Sequence, residues 1–469
     1  MLLCALLTGA QACSAARTEA ERPNRGAESA ARPNPASTLD AGASRTAPSA
    51  ADTEVQRALE QVAVVRELAV RGSVNAEILA QAAMVQRVRE QLDREVPKPA
   101  IEASTDMLFG FGIVRHDFDL KQSLLDLMTT QLAGFYDPVT TTMYMSLNLE
   151  GPEREATLSH ELVHALQDQH YDLRGLIAYR EDASDAQTAL HALAEGDATS
   201  AMMDYMLRGR GLRATDVPTD GILMQAESVM AADAKAAAVP GIIKRSVIAS
   251  YADGLPFVHW ARRRGGWQAV DAAWKSPPLT TEQLLHPEKY AAREPPLAVP
   301  VPLPSPSGPT RLGFRDVQGE QALRLLLEEW MPMKAARDAA AGWGGDRLAV
   351  YSDGTQTAVA WHIRYDDAAS AERGLLAVAR GILRKSEDPP SPGEAPDWIS
   401  REEALRAVKL GKVCRQRHRR GIFAAVRHGS DIALVAGPFS SSRGQPLTST
   451  NRRDCAEMLR WASGVAAQH

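Results

Sequence analysis

The feature that most constrains this chain is a five-residue run in its second quarter, His160-Glu161-Leu162-Val163-His164. The residues on both sides of the run are apolar and compatible with a helix, and Pro152 and Glu153 mark a helix start. The sequence therefore predicts a buried helix that runs through His164. Residues four positions apart share one face of a helix, with their β-carbons about 5–6 Å apart. The two imidazoles are thus predicted to bind one metal ion.

The residue that follows the first histidine gives this pair its chemistry. Glu161 lies one position beyond His160, where its carboxylate can reach a water on the metal instead of the metal itself. Two neutral imidazoles leave a zinc ion strongly Lewis acidic, and the carboxylate can take a proton from that water and pass it to a leaving amine. The run predicts zinc-dependent hydrolysis, with His160 and His164 as ligands and Glu161 as the general base.

The run resembles the zincin superfamily of metallopeptidases and, within it, the gluzincins, whose third ligand is a glutamate further along the chain. Glu195, in the segment Glu195-Gly196-Asp197-Ala198, looks like that glutamate, and a helix is predicted over about 183–207. The resemblance implies a mainly helical, zincin-like domain with a small sheet and one bound Zn²⁺ as cofactor. It also implies His160, His164 and Glu195 as the ligands.

Two features depart from the gluzincin pattern. Glu195 lies 31 residues after His164, which is further than in the best-known families. Thr199 stands where some gluzincins carry an aspartate that orients a metal-binding histidine. Asp197 is the remaining candidate for that supporting role.

A second residue competes for the role of third ligand. His170 follows His164 at the spacing found in the metzincins, but those families have glycine where Gln167 stands, because the chain must turn sharply there. If the helix continues instead, His170 lies about 120° around the helix from His164. We therefore expect Glu195, and not His170, to bind the metal.

Two further segments suggest catalytic roles. His286 and Tyr290, in a polar segment that contains a proline, are candidates to donate hydrogen bonds to a tetrahedral oxyanion. The segment after Tyr136, at 140–147, is predicted to be a strand. In the zincin fold an edge strand near the metal lets a substrate backbone add as one more strand, and we expect this strand to take that position.

A wider resemblance extends over much of the chain. Several segments are similar to a group of exported prokaryotic proteins, from which no activity carries over. They are 134–138, 164–170, 195–198, 281–290 and 342–347.

The chain of 469 residues is too long for one compact core and predicts two domains with tails, in an α+β fold class. Residues 1–13 are predicted to be a signal or lipoprotein segment, and 14–52 a disordered tether. The zincin-like domain is assigned to 53–298. A proline-rich connector at 291–310 leads to a smaller α+β accessory domain at 310–469.

Local patterns predict further elements. Residues 55–88 have a helical period broken at Gly72, residues 134–138 read as a turn, and 319–341 as one helix. Cys414 and Cys455 are predicted to form a disulfide, because an exported protein can oxidise such a pair.

These patterns together predict an exported zinc metallopeptidase whose partner is a protein or peptide substrate. The formal net charge of −5 argues against a nucleic-acid partner. Contact with a membrane is expected only through a lipid on Cys13, in a cell-envelope lipoprotein; the alternative is a secreted protein. The alternative function is a non-catalytic, zincin-like envelope protein that binds a protein or a cell-wall polymer.

Overall fold

The computed structural model describes residues 50–219, 239–390, 394, 397–443, 445 and 454–468. In these residues the chain forms fifteen α-helices and two β-sheets, which confirms the predicted α+β class. The predicted signal segment and nearly all of the predicted tether lie outside the described residues. Among the described helices, none combines the length and the apolar character needed to cross a bilayer.

Helices make up most of the first half of the chain. A small sheet lies among them, and Pro240 precedes the longest helix, which is interrupted at Gly265 and Gly266, where the backbone angles are not helical. In chain order these helices are α1 Ala50–Arg66, α2 Gln81–Glu95, α3 Lys98–Gly110, α4 Leu120–Gln131, α5 Gly151–Tyr171, α6 Leu173–Ile177, α7 Ser184–Leu207, α8 Gly241–Lys275, α9 Thr281–Leu285 and α10 Pro287–Ala292.

The small sheet differs from the sequence prediction in three ways. Its strands are β1 Asn75–Leu79, β2 Gly134–Asp137 and β3 Thr142–Ser146, in the order β1-β3-β2. The helix predicted around residue 78 and the turn predicted at 134–138 are both wrong, because pairing with β3 draws these segments into strands. The strand predicted to receive a substrate is also misplaced: β3 is central and paired on both sides.

The edge strand β2 does not take over that role. All four of its residues are buried. A β-carbon at Gly134 would lie 2.8 Å from Cγ2 of Thr157 on α5, so the strand packs closely against that helix. Along this outer edge, the N–H of Tyr136 donates to a side chain of α5 instead of facing solvent.

The two long helices α5 and α7 form as the sequence predicts and pack against each other. Pro152 occupies the first turn of α5, and Asp172, in the left-handed conformation, ends it. The helix therefore continues past His164 and His170 without the turn that a metzincin needs. Residues 156–167 of α5 are buried without interruption, as the apolar flanks of the histidine pair indicated.

Helices α7 and α8 cross at a pair of glycines. A β-carbon at Gly196 would lie 2.3 Å from the carbonyl carbon of Gly254, and one at Gly254 would lie 1.8 Å from the carbonyl oxygen of Ala192. Such distances leave no room for any side chain. Gly196 directly follows Glu195, so this close approach fixes α8 against the segment of α7 that carries the predicted third ligand.

The second half of the chain is built on a six-stranded antiparallel sheet. No helix or strand lies in the connector between Ala292 and Leu312, and the helix predicted at 319–341 is two helices, separated before Pro332. Strand order is β4-β5-β6-β9-β8-β7. The elements are β4 Leu312–Asp316, α11 Gly319–Leu327, α12 Met333–Ala340, β5 Trp343–Ser352, β6 Gln356–Tyr365, α13 Ala368–Ile382, α14 Arg401–Ala407, β7 Lys412–Arg417, β8 Gly421–His428, β9 Asp431–Ser440 and α15 Cys455–Ala466.

The two halves share a hydrophobic core. The largest buried cluster contains residues from both predicted domains. Phe111, at the end of α3, stacks on Phe423 of β8 with ring centroids 5.2 Å apart. Within the second half, the predicted disulfide between Cys414 and Cys455 is confirmed, and it joins β7 to the start of α15.

The glycine crossing predicts a sharp difference between two identical substitutions. Gly196→Ala should destabilise the protein by about 1–3 kcal/mol, because the new methyl group overlaps the backbone of Gly254. Gly464→Ala, on the open face of α15, should instead stabilise it by about 0.5–1 kcal/mol, since alanine is the better helix former. Urea unfolding of the three proteins measures both changes. Equal stability of the Gly196→Ala variant and the wild type would contradict the close crossing.

Candidate metal centre

Helices α5 and α7 bring the three predicted ligands together. Nε2 of His160 lies 3.2 Å from Nε2 of His164 and 3.2 Å from Oε2 of Glu195. Nε2 of His164 lies 3.6 Å from the same carboxylate oxygen. In the described part of the chain this is the group of histidine and acidic side chains that is fully buried and close enough to hold one metal ion.

Burial and mutual charge set the electrostatics of this cluster. The side chains of His160, His164 and Glu195 are at most 2 % exposed. Burial lowers the pKa of His160. Burial alone would lower the pKa of His164 as well, but the charge of Glu195 raises it to about 9. Burial would raise the pKa of Glu195, but the charge of His164 and the hydrogen bond with His160 hold it well below its usual range. The cluster is an anionic oxygen facing two imidazoles.

Glu161, the predicted base, lies on the same helix beside this cluster. Its Oε2 accepts a hydrogen bond of 3.0 Å from the backbone N–H of Tyr136 on β2. Its Oε1 is buried and has no hydrogen-bond partner among the described residues. Burial raises the pKa of Glu161 well above its usual value. One oxygen is thus held by the sheet, and the other is available for a proton.

A buried hydrogen-bond network lies behind His164. Its Nδ1 is 2.8 Å from Oε1 of Gln167, one turn further along α5. Gln167 in turn contacts Asp197 on α7, whose carboxylate also binds Arg66 of α1 and Trp274 of α8. Asp197, considered from the sequence as a supporting residue, therefore acts on His164 through Gln167.

Two neighbours of the cluster were missed by the sequence analysis. His191, one turn before Glu195 on α7, places its Nε2 3.8 Å from Oε1 of that glutamate. Burial lowers the pKa of His191 to about 4, so its ring is neutral at pH 7. The i, i+4 spacing that identified the first histidine pair applies equally to His191 and Glu195 and is the signal that was overlooked. Tyr251 of α8, whose ring centroid lies 5.9 Å from that of His160, has no comparable signal in the sequence.

The competing ligand and the two oxyanion candidates lie in other contacts. Nε2 of His170 is 2.7 Å from the carbonyl oxygen of Ala69 near the surface, as expected for a helix that continues past His164. His286 binds Glu320 with Nε2 and Oε1 2.9 Å apart. The hydroxyl of Tyr290 donates to the carbonyl of Ser276. These contacts support a structural role for His286 and Tyr290, and their oxyanion role stays a prediction.

A second group of acidic side chains surrounds a lysine of the protein itself. Glu282, Glu294 and Asp366 lie close enough to hold a cation. The ammonium of Lys289 lies among them, with Nζ 2.6, 2.9 and 2.7 Å from their respective oxygens. The lysine already supplies the positive charge, which leaves the histidine cluster as the candidate metal centre.

Comparison with known proteins gives a match in the second half of the chain. Residues 310–441 match a family described as a domain of unknown function, DUF8575. The match covers the six-stranded sheet and helices α11 to α14, but not α15, and it does not include any residue of the metal cluster. No curated protein and no solved structure matches the chain.

Proposed function

We propose that this protein is a zinc-dependent hydrolase of peptide bonds, with Zn²⁺ held by His160, His164 and Glu195. The observation that carries the proposal is the spacing of the three ligand atoms, 3.2, 3.2 and 3.6 Å. Zinc binds nitrogen and oxygen at about 2.0–2.2 Å in a tetrahedron, so its ligands lie about 3.3–3.6 Å from one another. The three atoms have the spacing of three corners of such a tetrahedron. Three protein ligands are also the number that catalytic zinc sites use, with water as the fourth.

Unpaired buried oxygens give independent support for a bound cation. Oε1 of Glu195 and Oε1 of Glu161 are buried and have no hydrogen-bond partner among the described residues. Leaving a buried polar atom unpaired costs about 1–3 kcal/mol, and more when it is charged. A divalent cation with a coordinated water would offset this cost, because it brings a positive charge and hydrogen-bond donors to the two carboxylates.

The residues of the cluster then have distinct tasks. When bound, Zn²⁺ supplies a Lewis acid that polarises the substrate carbonyl and lowers the pKa of water. His160, His164 and Glu195 would hold it between α5 and α7, which pack against each other. Glu161 accepts a proton from the attacking water and donates it to the leaving nitrogen. Since the N–H of Tyr136 occupies Oε2, the proton is accepted at Oε1.

The peptide substrate and the location rest on the sequence. Peptide hydrolysis follows from the resemblance of the histidine run to the zincins. Export to the cell envelope, by secretion or by a lipid on Cys13, follows from the apolar start of the chain. A scaffold that only binds a protein or polymer has no need of a carboxylate at position 161, so the presence of Glu161 favours the enzyme.

Replacing the base should separate metal binding from turnover. Glu161→Gln should keep zinc and lose hydrolysis by about 10²–10⁴-fold, because an amide cannot accept the proton of the water. Glu153→Gln, near the start of the same helix, is the matched control and should keep full activity. Zinc content and the cleavage of a broad peptide library are measured for all three proteins. If Glu161→Gln cleaves as fast as the wild type, Glu161 is not the base.

Removing either candidate third ligand should decide between Glu195 and His170. Glu195→Ala should weaken zinc binding by at least about 100-fold, since a catalytic site needs three protein ligands. His170→Ala should leave the affinity unchanged, because its imidazole binds a backbone carbonyl near the surface. Zinc dissociation constants, measured by competition with a chromophoric chelator, test both statements. The opposite order of affinities would assign the third ligand to His170.

A further inference from the structure

We propose that Gln167 positions His164 for metal binding, by fixing which nitrogen of its ring keeps a proton. The proposal rests on the zinc site described above and adds a residue that no metal contacts. A histidine can bind a metal through Nε2 only when Nε2 is unprotonated, so the remaining proton must stay on Nδ1. The contacts of Gln167 determine this arrangement step by step.

The first step is the orientation of the Gln167 amide. Nε2 of Gln167 lies 3.0 Å from the carbonyl oxygen of Ala194 and 3.2 Å from Oδ2 of Asp197. Both of these partners can only accept hydrogen bonds. The end of the amide that faces them must therefore be the NH₂ group, because an oxygen there would meet two other oxygens. The opposite end, which faces His164, is the amide oxygen.

The second step is the proton of His164. Oε1 of Gln167 lies 2.8 Å from Nδ1 of His164 and can only accept a hydrogen bond. Nδ1 must therefore carry a proton and donate it. Nε2, the other ring nitrogen, is the atom that faces His160 and Glu195, and it is the one that gives up its proton to bind the metal.

The third step concerns the contacts that keep the Gln167 amide from rotating by about 180°, which would exchange its oxygen and its NH₂ group. Asp197 is completely buried and is held by Nε of Arg66 at 2.6 Å and by Nε1 of Trp274 at 2.8 Å. These donors come from α1 and α8, so the carboxylate cannot move away from Gln167. Of the two histidine ligands, only His164 has such a partner for its Nδ1, because Nδ1 of His160 has no hydrogen-bond partner among the described residues.

The network also explains the residue at position 167. A glycine here would suit a chain that turns back to bring a third histidine to the metal. In this protein the helix continues, and the side chain at 167 lies one turn beyond His164 on its inner face. A glutamine there can donate at one end and accept at the other, which is what a carboxylate on one side and an imidazole N–H on the other require.

An isosteric substitution tests the proposal. Gln167→Met keeps the length of the side chain but removes all three of its hydrogen bonds. It should weaken zinc binding by about 10–100-fold, the usual effect of losing such a supporting contact. Gln169→Met is the matched control on the same helix. Gln169 binds the chain at Arg71 and Gly72, so its loss should leave zinc affinity unchanged.

A conservative variant distinguishes positioning from simple loss of structure. In Gln167→Glu a protonated carboxyl can donate to Asp197 with its O–H and accept from His164 with its carbonyl, so zinc affinity should return to within about threefold of the wild type. Histidine labelled with ¹⁵N gives a second readout. The zinc-loaded wild type and Gln167→Glu should show a slowly exchanging Nδ1–H for His164, and Gln167→Met should lose that protection.

Each outcome decides something different. A wild type that binds zinc, together with a Gln167→Met variant that folds and binds it equally well, overturns the positioning role but leaves the zinc site intact. Failure of Gln167→Glu to recover affinity and the protected proton also overturns it. A wild type that binds no zinc overturns the zinc site and the positioning role together.

Discussion

The carboxylate of Asp197 is the point on which the arrangement of the metal centre depends. It belongs to α7, and its donors come from three other helices: Arg66 from α1, Gln167 from α5 and Trp274 from α8. Arg66 and Asp197 are both fully buried. Removing one partner of such a buried pair typically costs about 3–5 kcal/mol, because it leaves a charge without compensation. The four helices can thus pack only where this carboxylate is satisfied.

The glycine crossing of α7 and α8 acts together with this ion pair. Gly196 and Gly254 let the backbones of the two helices touch. Gly196 lies between Glu195 and Asp197 in the chain, so the contact falls directly beside both residues. The close approach brings Trp274 within reach of Asp197 and the ring of Tyr251 beside that of His160. A single stretch of α7 therefore supplies a metal ligand, a packing contact and a buried charge at three successive positions.

Confinement of polar groups explains why the cluster is suited to a cation. Two imidazoles and two carboxylates lie buried side by side, and several of their atoms have no hydrogen-bond partner among the described residues. Burial is the largest cause that raises the pKa of Glu161 and lowers that of His160. Zinc bound to these groups would restore the favourable interactions that burial removes, so folding and metal binding should support each other.

The sequence was sufficient where local chemistry decides the outcome. The helix through His164, the helix carrying Glu195 and the disulfide between Cys414 and Cys455 all follow from short-range patterns and are observed. The exclusion of His170 from the cluster followed from helix geometry and from Gln167, which stands where the metzincins have glycine.

The predictions from sequence failed where pairing between distant strands determines the secondary structure. β1 has an apolar period compatible with a helix, yet it becomes a strand because β3 pairs with it from more than sixty residues away. The role of Gln167 could not be read from the sequence, because it depends on Ala194 and Asp197, which lie on another helix and orient the amide toward His164. From the sequence alone, Gln167 stands out only because the metzincins have glycine at this position.

A crystal structure of the zinc-loaded protein, with anomalous data collected at the zinc edge, tests the central claim most directly. The account predicts one strong peak, within about 2.0–2.2 Å of Nε2 of His160, Nε2 of His164 and a carboxylate oxygen of Glu195. A peak bound to His170 or His191 in place of Glu195, or no peak at these histidines, would contradict it.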